Sequence, residues 1–282
     1  MKMLTDVYKL SNGVGIPCIG YGTWQTPNGE VATAAVLEAL KCGYRHIDTA
    51  AAYKNEQSVG EAIRMSGIPR EQIFITSKVW NRNRGYEKTV AAFERTLSNL
   101  GTDYLDLYLI HWPANARQFS DPDALNLDTW RALVDLYRAG RIRAIGVSNF
   151  KPHHLEPLMN TEVPPMVNQI ELHPGHSQSE TMEYCKKHGI LVEAWSPLGE
   201  GRVLSDPTLR AIGEKYGKST AQVCIRWCLE CGALPLPKTV TPSRMAENAA
   251  VFDFSLSDDD MAAVAALEGL GFSGHDPDLV DF

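Results

Sequence analysis

The feature that most constrains the fold is a regular alternation of short apolar runs with longer amphipathic ones. Runs rich in β-branched and aromatic residues predict strands at 44–48, 73–78, 105–111, 142–148, 166–171, 191–196 and 233–236. Between several of these runs, apolar residues recur at helical spacing, as they do at 85–100, 127–139 and 152–160. Strands that alternate with helices indicate βαβ units and a parallel sheet.

The number and spacing of the strands narrow the fold further. A first strand at 18–20 brings the series to eight, and the later strand ends lie between 23 (Ser148 to Glu171) and 41 (Ser196 to Pro237) residues apart. Eight βα units in 282 residues fit a (β/α)8 TIM barrel, an α/β fold of typically about 250 residues. No linker interrupts the series, so we predict one domain over residues 1–282.

A hairpin is predicted ahead of the barrel. Apolar runs at 7–10 and 14–17 flank the pair Asn12-Gly13, and Asn-Gly is typical of a tight hairpin turn. We expect this N-terminal β-hairpin to cap the floor of the barrel.

Charge and hydropathy limit the partners. The chain has 34 acidic residues and 27 Lys and Arg, a net charge of −7, and no basic cluster that would indicate nucleic acid or anionic lipid. No run approaches the ~18 apolar residues of a membrane span, and residues 1–6 lack the apolar core of a signal peptide. We therefore expect a cytoplasmic monomer that acts on small molecules, with no nucleic-acid or membrane partner.

The cysteines and paired histidines offer weak alternatives. Cys228 and Cys231 have the C-x-x-C spacing of redox motifs, but they end an amphipathic run, so we expect buried, reduced thiols. The pairs 153–154 and 173/176 lack the helical spacing and the additional ligands of a zinc site. No metal site is predicted.

Ionisable residues end three successive predicted strands. Asp48, Lys78 and His111 occupy these ends, where TIM barrels place their active sites, and Tyr53 follows in the loop after Asp48. Singly, each has a structural explanation, such as a helix cap for Asp48 or core packing for Tyr53. Together they indicate a catalytic group in which a lysine lowers the pKa of Tyr53 from its ordinary ~10, making it a general acid. His111 would be a second hydrogen-bond donor to a carbonyl oxygen.

The sequence offers no good protein nucleophile, which points to a hydride carrier bound without a Rossmann fold. Trp195 lies at a strand end, where its indole could stack on a nicotinamide ring. Ser148, Asn149 and Gln169 could hold the carboxamide. Residues 238–244 lead into a helix capped by Thr241, and its N-terminus suits a phosphate, although a basic helix start on the rim is the alternative explanation.

A set of motifs spans nearly the whole chain: 43–50 (GYRHIDTA), 53–56 (YKNE), 105–113 (LDLYLIHWP), 146–150 (GVSNF), 168–174 (NQIELHP) and 236–248 (LPKTVTPSRMAEN). As a set they resemble the aldo-keto reductase family, which consists of (β/α)8 enzymes that use NAD(P)H. Trp195, where many members have Tyr, resembles the bacterial 2,5-diketo-D-gluconate reductase-like branch.

The resemblance implies specific site residues. The family's catalytic tetrad corresponds to Asp48, Tyr53, Lys78 and His111. Contacts to the cofactor are implied for Gly22, Thr23, Trp24, Asp48, Ser148, Asn149, Gln169, Trp195, Ser196, Pro197, Leu198, Gly199, Lys238, Thr239, Val240, Arg244, Glu247 and Asn248. Lys238 and Arg244 favour NADPH over NADH because they would pair with the 2′-phosphate. The implied substrate pocket is formed by Trp24, Tyr53, Trp80, His111 and Trp112, with Phe282 or another tail residue.

The implied reaction is NADPH-dependent reduction of aldehydes and ketones to alcohols. Short segments at 114–127 and after Gly271 indicate an open pocket that accepts α-dicarbonyls. Two other functions stay open. Lys78 could form a Schiff base in an aldolase-like lyase, or the barrel could bind NADPH as a non-catalytic redox sensor.

Overall fold

The computed structural model describes Met1 and residues 3–282, and this part of the chain contains ten strands and ten α-helices. The strands are β1 (Val7–Lys9), β2 (Gly15–Pro17), β3 (Tyr21–Gly22), β4 (His46–Asp48), β5 (Phe74–Val79), β6 (Leu105–Ile110), β7 (Ile142–Ser148), β8 (Val167–Glu171), β9 (Leu191–Trp195) and β10 (Leu234–Leu236). The helices are α1 (Glu30–Lys41), α2 (Glu56–Met65), α3 (Tyr86–Leu100), α4 (Pro122–Arg138), α5 (Pro152–Met159), α6 (Ser179–Lys187), α7 (Pro207–Tyr216), α8 (Thr220–Glu230), α9 (Pro242–Ala249) and α10 (Asp258–Ala265).

Strands β3 to β10 form one parallel sheet in chain order. Its two edges meet, because the Gly20 N–H donates to the Pro235 carbonyl and the Gly22 N–H donates to the Pro237 carbonyl, each at 3.1 Å. The sheet is therefore a ring, and the predicted (β/α)8 TIM barrel is confirmed. Among the described residues, no helix is both long enough and apolar enough to cross a membrane.

The N-terminal hairpin is a separate two-stranded sheet, with Val7 of β1 opposite Pro17 of β2. The Asn12 side-chain amide donates to the Arg143 carbonyl at 2.9 Å, near the start of β7. The Tyr8 hydroxyl lies 3.5 Å from the carbonyl of Ala233, directly before β10. Both contacts are at the amino ends of barrel strands, so the hairpin caps the floor, as predicted.

Several predicted boundaries differ from the structure by one or two residues, and two elements start further from their predicted positions. The first barrel strand is Tyr21–Gly22 rather than 18–20, because these two residues pair with Ile47 and Asp48 of β4. Helix α4 begins at Pro122, five residues before the predicted start at 127. The Asp121 carboxylate caps it by accepting a 3.0 Å hydrogen bond from the Ala124 N–H, and Pro122 has the fixed φ that favours a first helical position.

The chain contains one Gly-x-Gly-x-x-Gly spacing, at Gly269, Gly271 and Gly274. A dinucleotide-binding loop of that pattern connects a strand to a helix. Here the three glycines lie in irregular chain after α10, so they do not form a Rossmann phosphate loop.

Candidate active site

The four residues of the predicted tetrad meet at the carboxyl end of the barrel. Asp48 is the last residue of β4, Lys78 is the last but one of β5, and His111 directly follows β6. Tyr53 ends a short 3-10 turn after β4. Adjacent parallel strands present their carboxyl ends on the same rim, so these side chains converge without long loops.

Lys78 is the centre of this group and is fully buried. Its ammonium nitrogen lies 2.7 and 2.8 Å from the two carboxylate oxygens of Asp48 and 3.1 Å from the Thr49 carbonyl. Its fourth neighbour is the Tyr53 hydroxyl, at 3.2 Å. Burial opposes the charge on Lys78, but Asp48 and Tyr53 outweigh that effect and raise the pKa of the ammonium group. Lys78 is therefore a permanent cation beside the Tyr53 oxygen.

The pKa of Tyr53 departs from the sequence prediction. Burial raises the pKa of the phenol above its ordinary value, and the nearby charge of Lys78 offsets this only in part. The negative charge of Asp48 adds to the increase. The prediction of a lowered pKa was wrong because it counted the lysine and left out the desolvation of the phenolate. Tyr53 is thus a neutral phenol at pH 7.

His111 lies between aromatic rings, with its ring centroid 5.7 Å from that of Tyr53 and 5.1 Å from that of Trp80. Burial, together with the positive charges of Lys78 and Arg84, holds the pKa of His111 well below its usual range. A neutral imidazole carries one N–H and can donate one hydrogen bond without delivering a proton.

A cavity of about 770 Å³ opens over these residues. Sixteen of the predicted site residues line it: Gly22, Trp24, Asp48, Tyr53, Trp80, His111, Trp112, Ser148, Asn149, Gln169, Trp195, Ser196, Pro197, Leu198, Lys238 and Phe282. The other predicted residues do not line it: Thr23, Lys78, Gly199, Thr239, Val240, Arg244, Glu247 and Asn248. Lys78 lies behind Asp48 and Tyr53, and the Thr23 hydroxyl donates to the Asp48 carbonyl at 2.9 Å.

The residues predicted to hold a carboxamide form a hydrogen-bonded cluster on the cavity wall. The Asn149 amide donates to the His111 carbonyl at 3.0 Å and to the Ser148 hydroxyl oxygen at 3.1 Å. The Trp195 indole N–H donates to the Asn149 side-chain oxygen at 2.8 Å. This bond sets the orientation of both side chains, and a tyrosine at 195 would have no ring N–H with which to form it.

The N-terminus of α9 has the predicted features. Thr241 is at the N-cap position and Pro242 is in the first turn, but the Thr241 side chain forms no capping hydrogen bond. Lys238 and Arg244 are exposed, and within the described residues their side chains form no ion pair or hydrogen bond. Glu247, in contrast, already accepts a hydrogen bond from the Ser219 hydroxyl. Two unpaired cations beside a helix N-terminus form a suitable site for a phosphate group.

Sequence reasoning missed several lining residues. Lys54, Arg82, Glu200 and His275 border the cavity. Lys54 could have been identified from its position next to Tyr53, whereas His275 comes from the tail and carries no local signal. The tail also places Phe282 against Trp80. The two rings are stacked, with their centroids 5.9 Å apart and an angle of 7° between their planes. Phe282 had been expected as a tail residue of the pocket, and the structure places it there.

Among the described residues, one cluster outside the cavity has the composition of a metal site. The nitrogens of His153 and His154 lie 2.9 and 3.0 Å from one Asp278 oxygen. The Nδ1 atom of His154 accepts a hydrogen bond from the Lys151 N–H, so in the neutral ring Nε2 carries the proton and donates to Asp278. A protonated nitrogen cannot coordinate a metal. Together with Lys151, this cluster fastens the tail to α5.

The comparisons decide the family. Residues 18–268 match the model of the aldo/keto reductase family. The chain belongs to this family. It is 52% identical over 280 residues to the glyoxal reductase of Bacillus subtilis (strain 168), and the match covers 99% of both chains. The crystal structure of MGS-M4, an aldo-keto reductase from a deep-sea metagenome library of the Medee basin, has a TM-score of 0.92, 44% identity and coverage of 98% and 100%.

A second solved structure bears on the cofactor. A mutant of Gox0644 in complex with NADPH matches with a TM-score of 0.91 at 44% identity, over 99% of each chain. This aldo/keto reductase is accordingly an NADP(H)-dependent oxidoreductase that acts on carbonyl compounds. Its own residues fit the cofactor, because amide and hydroxyl groups beside the Trp195 indole line the cavity and two unpaired cations lie at the α9 N-terminus.

Proposed function

We propose that this chain reduces aldehydes and ketones, including α-dicarbonyls, to alcohols with NADPH, and that Tyr53 is the general acid. The observation that carries the proposal is the position of the Tyr53 hydroxyl on the cavity wall, 3.2 Å from the Lys78 ammonium group. A phenol held beside a fixed cation is a proton donor whose conjugate base is stabilised as it forms.

Each residue of the tetrad has a separate role in the proposed reaction. The Trp195 indole, Ser148 and Asn149 would hold the nicotinamide end of NADPH, which would supply the hydride. Tyr53 donates its proton to the carbonyl oxygen, and Lys78 stabilises the phenolate that remains. Neutral His111 donates a hydrogen bond to the same oxygen and so orients the carbonyl group. The negative charge of Asp48 compensates the positive charge of Lys78, so the buried lysine stays protonated.

The residues that line the cavity indicate which substrates it accepts. The cavity is lined by Trp24, Trp80 and Trp112. These side chains form an apolar surface that requires few hydrogen bonds from a substrate. Such a pocket discriminates weakly among small carbonyl compounds. The glyoxal reductase activity named for the Bacillus relative supports the inclusion of α-dicarbonyls.

The experiment is to follow the loss of NADPH absorbance with methylglyoxal and with an aromatic aldehyde, beside NADH controls. We expect turnover with both substrates and a preference for NADPH. Tight NADPH binding without turnover would instead support the sensor function, and covalent trapping of the substrate on Lys78 by borohydride would support the lyase.

A further inference from the structure

A buried carboxyl group lies one layer below the catalytic residues, and the proposed chemistry does not use it. Glu193 occupies the middle of β9, two residues before Trp195, and its side chain is fully buried. It pairs across the sheet with Gln169 of β8 on one side and with Leu234 of β10 on the other. A charged residue type in the interior of a barrel is costly unless its polar atoms are engaged.

One amide links this carboxyl group to the tetrad. The Gln169 side-chain nitrogen donates to a Glu193 oxygen at 2.8 Å and to an Asp48 oxygen at 2.9 Å. Both hydrogens of the amide are thereby used, and all three residues are buried. The amide is too constrained to turn away without leaving a buried carboxyl unsatisfied.

We propose that Glu193 is a positioning residue, which holds the amide of Gln169 where that amide in turn fixes the carboxylate of Asp48. The inference rests on the proposed function, because Asp48 orders Lys78 and Lys78 contacts Tyr53. Removal of the Glu193 acceptor frees one hydrogen of the Gln169 amide, and the Asp48 carboxylate loses its fixed neighbour.

The charges around Glu193 show which form it takes. Asp48 and His46 face it from β4, Lys78 from β5 and the neutral Gln169 from β8, while β10 contributes the apolar Leu234. Lys78 is already paired with Asp48. His46 lies 3.8 Å away, and burial lowers its pKa to about 3, so it offers no positive charge.

Burial and the negative charge of Asp48 raise the pKa of Glu193 to about 8. At neutral pH, Glu193 is then mainly a carboxylic acid, and the shared amide does not lie between two negative charges. Above pH 8 the carboxyl group ionises, repels Asp48 and disfavours the phenolate that Tyr53 must form. Carbonyl reduction is expected to decline through this range.

Three variants test the proposal. Glu193→Met removes the hydrogen-bond acceptor, and we expect kcat to fall about fivefold to tenfold, the equivalent of one hydrogen bond, with little change in KM for the carbonyl compound. Glu193→Gln keeps an acceptor but cannot ionise, so it should lose less kcat than Glu193→Met and its alkaline decline should move to higher pH. Glu56→Gln is the matched control: Glu56 is a buried carboxyl that contacts Ser77 and Asn99, outside this network.

Infrared difference spectroscopy across pH 6–10 gives a readout that needs no turnover. The carbonyl stretch of a protonated carboxyl group should disappear near pH 8 in the wild type and in Glu56→Gln, and it should be missing from Glu193→Gln. If the chain shows no reductase activity, the proposed function fails while this titration still tests Glu193. An unchanged kcat in Glu193→Met, or an alkaline limb that stays in place in Glu193→Gln, would overturn the proposal.

Discussion

The ammonium group of Lys78 lies within 2.8 Å of both carboxylate oxygens of Asp48, and the lysine side chain has no exposed surface. Replacing one partner of a buried pair leaves the other charge uncompensated, which costs about 3–5 kcal/mol. We expect Lys78→Met to lose that much free energy of unfolding, measured in urea. The double variant Lys78→Met/Asp48→Asn should recover part of it. A double variant that is no more stable than Lys78→Met would contradict the pairing.

The general acid is tested by removing one oxygen. Tyr53→Phe should lower kcat for carbonyl reduction by at least about 100-fold, because general acid catalysis contributes about 10²–10⁴. NADPH affinity, measured by fluorescence titration, should stay near the wild-type value. The control is Tyr108→Phe, since the Tyr108 side chain is buried on β6 and does not line the cavity. Wild-type turnover in Tyr53→Phe would exclude this role.

The raised pKa of Tyr53 predicts a difference between the two directions of reaction. Reduction needs the neutral phenol, whereas oxidation of an alcohol needs the phenolate as base. Because burial raises the pKa of Tyr53 above its ordinary ~10, the phenolate is scarce at neutral pH. The ratio of kcat for oxidation to kcat for reduction should therefore increase steadily from pH 7 to 10. A ratio that does not change with pH would show that Tyr53 is not the shared acid and base.

The cations at the α9 N-terminus should determine cofactor choice. Arg244→Ala removes a side chain with no competing partner in the described structure, and the loss of a charge-assisted bond weakens binding by about 1.5–3 kcal/mol. We expect Kd for NADPH to rise roughly tenfold to a hundredfold while Kd for NADH changes little. Arg95→Ala, at an exposed position on α3, is the control. Equal losses for NADPH and NADH would remove the assignment of the 2′-phosphate site.

The tail aromatic should affect large substrates more than small ones. Phe282 stacks on Trp80 and meets Trp112 edge to face at 5.3 Å, so Phe282→Ala widens the pocket and removes apolar contact area. We expect KM to rise several-fold for an aromatic aldehyde and to change little for methylglyoxal. Phe272→Ala is the matched control, because Phe272 stacks on His176 and does not line the cavity. A uniform change for both aldehydes would indicate a general disturbance of the tail.

Local signals account for what the sequence could predict. Strand ends such as Asp48 and His111 were located because an apolar run stops at an ionisable residue, and the barrel then brings such residues together. The role of Glu193 could not be foreseen, because its significance depends on the register that places it beside Gln169. Phe282 reaches Trp80 only through the path of an irregular tail. The 2,5-diketo-D-gluconate reductase-like branch stays a prediction, since Trp195 is its sole support.

The barrel closes where the Gly20 N–H donates to Pro235 of β10 and the Gly22 N–H donates to Pro237, directly after β10. Gly22, Pro237 and Lys238 all line the cavity there, so the first and last strands of the barrel form a single wall of the ligand site. A ligand in that site contacts both ends of the strand series at once and opposes their separation. Binding should therefore slow hydrogen exchange at the Gly20 and Gly22 amides, and the stability of the barrel should increase with the concentration of the cofactor.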